Sequence, residues 1–265
     1  MKLVEPVVIK LAETRADWEG VRELLKHFNV SQETLTIFSR KWYAHSAETL
    51  IETAGRMCYK SFEPGLNPNV TKIRDESKDY FENILKKGDG SILEHVQVSF
   101  AFLNVSRIFT HELVRHRVGI AISQESLRYV RPNELGLWIP SGLDEKQEVK
   151  LQQAFYAAEK AYDDIERTVD WDKLSFDKKK VLTSAFRRLL PDGMATNIVW
   201  SANLRALRHI IDMRTDPAAE IEIRTVFDKV ALICKDDYPF VFQDFERKEL
   251  PDGTGSWKPI LRSKV

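Results

Sequence analysis

The stretch His111–Tyr129, HELVRHRVGIAISQESLRY, holds an unusual density of polar chemistry. Arg115, His116, Arg117 and Arg128 fall within 14 positions, beside Glu112, Ser123, Gln124, Glu125, Ser126 and Tyr129. An apolar insert, Val118–Ile122, separates the two basic groups. An Arg-His-Arg triplet alone also suits a solvated helix end, because cations are favoured at a helix C-terminus.

The bulk numbers limit what this cluster can serve. The chain has 265 residues, 43% hydrophobic and 30% charged, as expected of a soluble globular protein in one elaborated domain. Lys plus Arg number 40 and Asp plus Glu number 40, so the formal net charge is zero. A nucleic-acid coat needs a basic excess, so an anionic ligand has to be held by a local cluster such as 111–129. Two cysteines, Cys58 and Cys234, form no disulfide framework and point to a reducing, cytoplasmic compartment. The absence of CxxC and HExxH spacings predicts no metal site. No apolar run approaches the roughly 20 residues of a membrane span, and MKLVEPVVIKLAET reads as a strand, not a signal peptide.

Outward from the cluster, Val96, Val98, Phe100 and Phe102 alternate with Gln97, Ser99 and Ala101, a strand with one buried face. Before it, Ser91–His95 reads as a helical half-turn, with His95 as a buried, hydrogen-bonded imidazole. Ser106–Arg117 reads as a helix with His111, Glu112 and Arg115 on one side. Upstream, a strand at Val4–Leu11 precedes helices at Asp17–Phe28, Ser31–Tyr43, Ala47–Tyr59 and Arg74–Lys86. Downstream come a loop or edge element at Arg131–Pro140 and a long helix at Glu145–Val169. A charged connector, Asp170–Lys180, leads to a helix at Val181–Leu190.

Thr196–Met213 reads as one helix with Val199, Ala202, Ala206, Ile210 and Met213 as its apolar stripe. Asn203 and Arg214, eleven apart, share a second stripe, and Arg205 and His209 share a third. Such a helix serves two pockets, sits at a subunit boundary, or is merely half-exposed. Asp216-Pro217 reads as the N-cap and first residue of a last helix reaching about Lys235. The aromatic segment Tyr238–Phe245 is expected to pack down, and Ser256–Val265 to fray.

Five blocks resemble the flavin-dependent thymidylate synthases, in order. They are Arg56-Met-Cys-Tyr59, Ser91–His95, Thr110–Arg117 through Arg128-Tyr129, Arg187–Pro191, and Asn203-Leu-Arg205 through Arg214. The third has the family's spacing: Arg-His-Arg, eight residues, Ser, one residue, Arg-Tyr. The resemblance covers about residues 47–245, leaving 12–46 as extra helical material and 246–265 as a tail. The elements and the resemblance together predict an α+β fold in a single domain, 1–265, with a small, mostly antiparallel sheet wrapped by helices. No GxGxxG is present, so FAD is not expected to bind in the Rossmann manner.

The resemblance implies synthesis of dTMP from dUMP, with methylenetetrahydrofolate as carbon donor, NADPH as reductant and FAD between them. It also implies a homotetramer with shared sites. Carried over by position, FAD contacts fall on Ser91, Arg115, His116, Arg117, Asn203, Leu204, Arg205 and His209. Contacts to dUMP fall on Glu112, Leu113, Val114, Arg115, Glu125, Ser126, Leu127, Arg128 and Arg187. Gln124 lies between the two ligands. Arg214 faces the uracil as the catalytic group.

These residue types suit that chemistry. A nucleotide phosphate wants bidentate guanidinium and hydroxyl or amide donors, which Arg128, Arg187 and Ser126 can supply. A fixed Arg214 stabilises developing charge on uracil without a proton transfer. Ser126 also reads as a nucleophile, but no base is evident and anchoring is the better reading. No cysteine sits where covalent attack on uracil is plausible. This chain departs from the family with Glu112, where many members have Gln, and with Ala218, where some place His. A relative without synthase activity and a nucleic-acid-binding module are the rival readings. Neutral charge and the Asn203–Arg214 segment oppose the second.

Overall fold

The fold is built on the alternating strand Gln97–Ser106, whose Val98, Phe100 and Phe102 are fully buried on one face. Burying each such side chain contributes roughly 1.5–3 kcal/mol, enough to fix which face turns inward. The computed structural model describes residues 1–261. In chain order its first elements are β1 (Lys2–Leu3), β2 (Val7–Glu13), α1 (Trp18–His27), α2 (Gln32–Ala44), α3 (Ser46–Tyr59) and α4 (Ser77–Lys87). After a 3₁₀ turn at Gly90–His95 come β3 (Gln97–Ser106), α5 (Arg107–Leu113), β4 (Ile120–Gln124) and β5 (Gly136–Leu137). The rest are α6 (Glu145–Glu166), α7 (Phe176–Phe186), β6 (Ala195–Asn203), α8 (Leu204–Arg214), α9 (Ile221–Asp237), β7 (Phe245–Glu249) and β8 (Gly255–Pro259).

The central sheet has the order β2-β3-β6-β4 with every pair antiparallel. Its inner face carries Phe100, Phe102, Ile198 and Trp200, packed against residues of α5, α8 and α9 such as Phe109, Leu207, Ile211, Val226 and Phe227. Its outer face leaves Val7, Ile9 and Val199 each about 40% exposed. Helices α1 and α2 form a separate cluster, with Leu25, Leu35 and Phe38 packed on Phe62. Among the described residues no helix is long and apolar enough to cross a membrane.

The structure corrects several sequence expectations. Residues 196–213 are not one helix: β6 ends at Asn203 and α8 starts at Leu204. Thr196, Ile198, Trp200 and Ala202 point inward at period two, and Trp200 drives that choice because it fills the core. The helix expected over Ser106–Arg117 stops at Leu113, and the end of the apolar insert, Ile120–Ile122, opens edge strand β4. Helix α7 begins at Phe176, inside the expected connector, capped by Ser175. Asp216 does not open the last helix. Its carboxylate accepts from Ala218 N–H in a turn, and Glu220 caps α9. His95 is exposed rather than buried. Residues 255–259 form β8 instead of fraying, because Trp257 is buried; 262–265 lie outside the described residues.

Candidate active site

The site forms where β6 turns into α8. Asn203 is the last residue of the strand and the N-cap of the helix, its Oδ1 accepting from Ala206 N–H at 2.8 Å. The turn after Arg117 closes against it: Asn203 N–H donates to the Gly119 carbonyl at 3.0 Å. Gly119 has φ +72°, and a Cβ there would lie 2.3 Å from Asn203 Nδ2. Only glycine allows this approach.

A cleft of about 470 Å³ opens at this junction. Arg115, His116, Arg117 and Val118 line one side, and Asn203, Arg205, Ala206 and His209 the other. Six of the eight residues expected at FAD thus meet in one place. Ser91 sits exposed on the 3₁₀ turn whose Glu94 lines the cleft and pairs with Arg205 at 2.6 Å. The Leu204 side chain is fully buried in the core, so it offers no side-chain contact.

The residues present fit a flavin dinucleotide. The volume lies in the roughly 300–1,000 Å³ range of small-molecule sites. The guanidinium groups of Arg115 and Arg117 suit a diphosphate. The edge-on pair His116–His209, 6.3 Å between centroids, adds flat ring surface.

Behind His116 stands Arg214, the last residue of α8. Its Nε donates to His116 Nε2 at 2.7 Å, its Nη1 to Glu112 Oε2 at 2.7 Å and its Nη2 to the Glu112 carbonyl at 3.0 Å. The guanidinium therefore caps the end of α5 rather than its own helix. Of five N–H groups, these bonds use three and leave one hydrogen on each Nη. Glu112 is thereby explained: its charge is met by Arg214. Burial, then Arg214, His209 and Arg115, push the His116 imidazole down to about 4. His116 is neutral at pH 7, with Nε2 as acceptor and the proton on Nδ1.

A second cleft, of about 360 Å³, is lined by Arg107, His111, Leu127, Arg187, Arg188, Leu190 and Asp192. It contains Arg187 and Leu127 of the expected dUMP set. Ser126 opens a turn, its carbonyl accepting from Tyr129 and Val130 N–H. Among the described residues no imidazole or carboxylate bonds its hydroxyl, which accepts weakly from Arg128 N–H at 3.4 Å. Arg128 lies over the Tyr129 ring at 5.8 Å. Gln124 Nε2 donates to Thr110 Oγ1 at 3.3 Å, which ties β4 to α5. Glu125 turns to β6 and accepts from Asn197 Nδ2 at 2.9 Å. Leu113 is buried and Val114 exposed. Cys58 is exposed at the end of α3, and Cys234 is buried in α9 with its thiol pKa raised; neither lines a cleft described above.

Sequence reasoning missed Arg107, His111 and Arg188 as cleft residues, and Glu94. Arg107 and His111 are four apart on α5, so helical spacing already placed them side by side.

The model of the thymidylate synthase complementing protein family matches residues 42–240. A flavin-dependent thymidylate synthase of Mycobacterium avium (strain 104) is 36% identical over 217 residues, 80% of this chain and 84% of the relative. One from Corynebacterium diphtheriae is 34% identical over 220 residues, with the same coverage. Another, from Corynebacterium efficiens, is 32% identical over 217 residues. The matched range holds both clefts and Arg214, and the chain belongs to the thymidylate synthase complementing protein family.

Proposed function

We propose that the protein methylates dUMP to dTMP, with methylenetetrahydrofolate as carbon donor, NADPH as reductant and FAD between them. The observation that carries this reading is the meeting of residues 115–117 with 203–209 in one cleft, backed by Arg214. Arg115, Arg117, Asn203, Arg205 and His209 would hold FAD, which supplies a hydride when bound. Arg187, Arg128 and Ser126 would hold the dUMP phosphate, with Arg107 and His111 beside them. Glu112 and His116 fix Arg214 on three sides, so its two remaining hydrogens point where the guanidinium plane dictates. A preorganised donor of this kind stabilises charge developing on the pyrimidine. Neutral His116 can accept from Arg214 and adds no competing cation beside it.

The assembly is proposed to be a homotetramer with shared FAD sites. The bare outer sheet face, with Val7, Ile9 and Val199, and the 89% exposure of Val118 at the cleft rim both favour a covering subunit. The reading is tested by incubating the purified protein with FAD, removing free flavin, and recording its visible spectrum and mass in solution. A flavin band on a tetramer is expected. A monomer with full FAD occupancy contradicts the shared site, and a colourless protein contradicts the flavin reading.

A further inference from the structure

We propose that the C-terminal hairpin β7–β8 is a clamp that sets the reach of Arg214, with Lys258 as its positioning residue. The inference rests on the reading of Arg214 given above. The hairpin spans residues 245–259, beyond the 42–240 matched by the family.

Arg214 is the last residue of α8, a place where helices fray and where the final carbonyls lack partners. A basic residue there ordinarily serves those carbonyls. Arg214 does not, because its guanidinium is turned to α5, with Nε on His116 and both Nη on Glu112. Lys258 takes over that work from the hairpin. Its Nζ donates to the Asp212 carbonyl at 2.9 Å, to Asp212 Oδ1 at 2.8 Å and to Asp216 Oδ2 at 2.9 Å. Beside it, Trp257 N–H donates at 2.9 Å to Thr215 Oγ1, and that hydroxyl donates to the Ile211 carbonyl at 2.7 Å. Strand β8 thus ties residues 212, 215 and 216, on both sides of Arg214.

The clamp is itself anchored. The Asp228 carboxylate of α9 accepts from Arg247 Nε at 3.0 Å and Nη2 at 2.9 Å, from Gly255 N–H at 2.9 Å and from Trp257 Nε1 at 2.7 Å. One carboxylate therefore joins both strands of the hairpin to the helix packed on α8. A Cβ at position 255 would lie 2.4 Å from Asp228 Oδ1, so this approach requires glycine. The consequence is reach: misplacing a catalytic group by about 1 Å can cost about 10²-fold in rate. The three bonds of Arg214 survive only while the end of α8 stays in place.

The test compares Lys258→Ala, Lys258→Arg and Thr215→Val in the full-length, FAD-loaded protein. Lys258→Ala is expected to lower kcat about 10-fold while the KM for dUMP and the FAD affinity stay within about 2-fold. Lys258→Arg should recover most of the loss, and Thr215→Val, which loosens the clamp from its other end, should repeat it. A second readout does not involve turnover. In ¹³C-histidine NMR the His116 titration, held near 4 by burial and by Arg214, His209 and Arg115, should move up in Lys258→Ala and stay put in Lys258→Arg. Unchanged kcat with an unchanged His116 titration overturns the clamp, even if thermal stability falls. Arg214→Lys run in parallel separates the two failures. If that variant keeps full turnover, the catalytic reading of Arg214 is wrong, and the NMR titration alone decides the clamp.

Discussion

Replacing Arg214 by lysine keeps the positive charge and removes the planar fork. The guanidinium makes three bonds in fixed directions, to His116 Nε2, Glu112 Oε2 and the Glu112 carbonyl. A single ammonium on a shorter, more flexible stem can keep the Glu112 carboxylate but not all three at once. Two lost bonds to a charged group, at about 1.5–3 kcal/mol each before relaxation, exceed what the remaining ion pair returns. The transition-state share is the removal of one preorganised donor, about 10²-fold in kcat or roughly 2.7 kcal/mol. FAD affinity should hold, because Arg214 is not among the residues that line the cleft. The assay is steady-state turnover of dUMP with methylenetetrahydrofolate and NADPH, with the dUMP dissociation constant and Tm measured on the same preparation. If Arg214 were only a cap for α5, Tm would fall and kcat would stay near wild type. That outcome would refute the reasoning.

Three further outcomes are expected. Ser126→Ala should weaken dUMP binding yet leave measurable turnover; abolished chemistry at unchanged affinity would make the hydroxyl a nucleophile instead. Cys58→Ala and Cys234→Ala should each stay active, since neither thiol reaches a cleft, and loss of all activity in a folded variant would contradict carbon transfer without an enzyme thiolate. Glu48→Gln tests a buried carboxyl pushed up to about 8, chiefly by burial. A raised folded pKa contributes stability that is full below the unfolded value and is lost as pH climbs through the folded one, here between 4.5 and about 8. Glutamine mimics the protonated acid and still accepts from Phe240 and Val241 N–H through its oxygen. The variant should gain Tm relative to wild type between about pH 5 and about pH 9; parallel curves would show that the fold does not raise the Glu48 pKa.

Much of the fold was legible where one pattern dominated. The period-two run read from Val96 to Phe102 falls in β3 from Gln97 onward. The failure at 196–213 has a specific cause. Val199, Ala202, Ala206, Ile210 and Met213 fit helical spacing, yet the first two belong to a strand, where Val199 faces out and Ala202 in. The competing signal, Thr196, Ile198 and Trp200 at alternate positions, was present, and Asn203 was a ready N-cap. The insert Val118–Ile122 looked out of place in a basic cluster because its partner, β6, is some 80 residues away. Local reading cannot see such a pairing. The candidate site was legible through motif spacing rather than periodicity. Spacing brought Arg115, His116, Arg117, Asn203, Arg205 and His209 to one cleft, but it could not show that Arg214 stands behind His116 or that Glu112 meets its charge.

The most direct test of the central claim is dTMP formation from dUMP by the purified, FAD-loaded protein, followed by chromatography with each cosubstrate left out in turn. The reading predicts dTMP only when methylenetetrahydrofolate and NADPH are both present. A folded, flavin-loaded protein that forms no dTMP with all components present would contradict it.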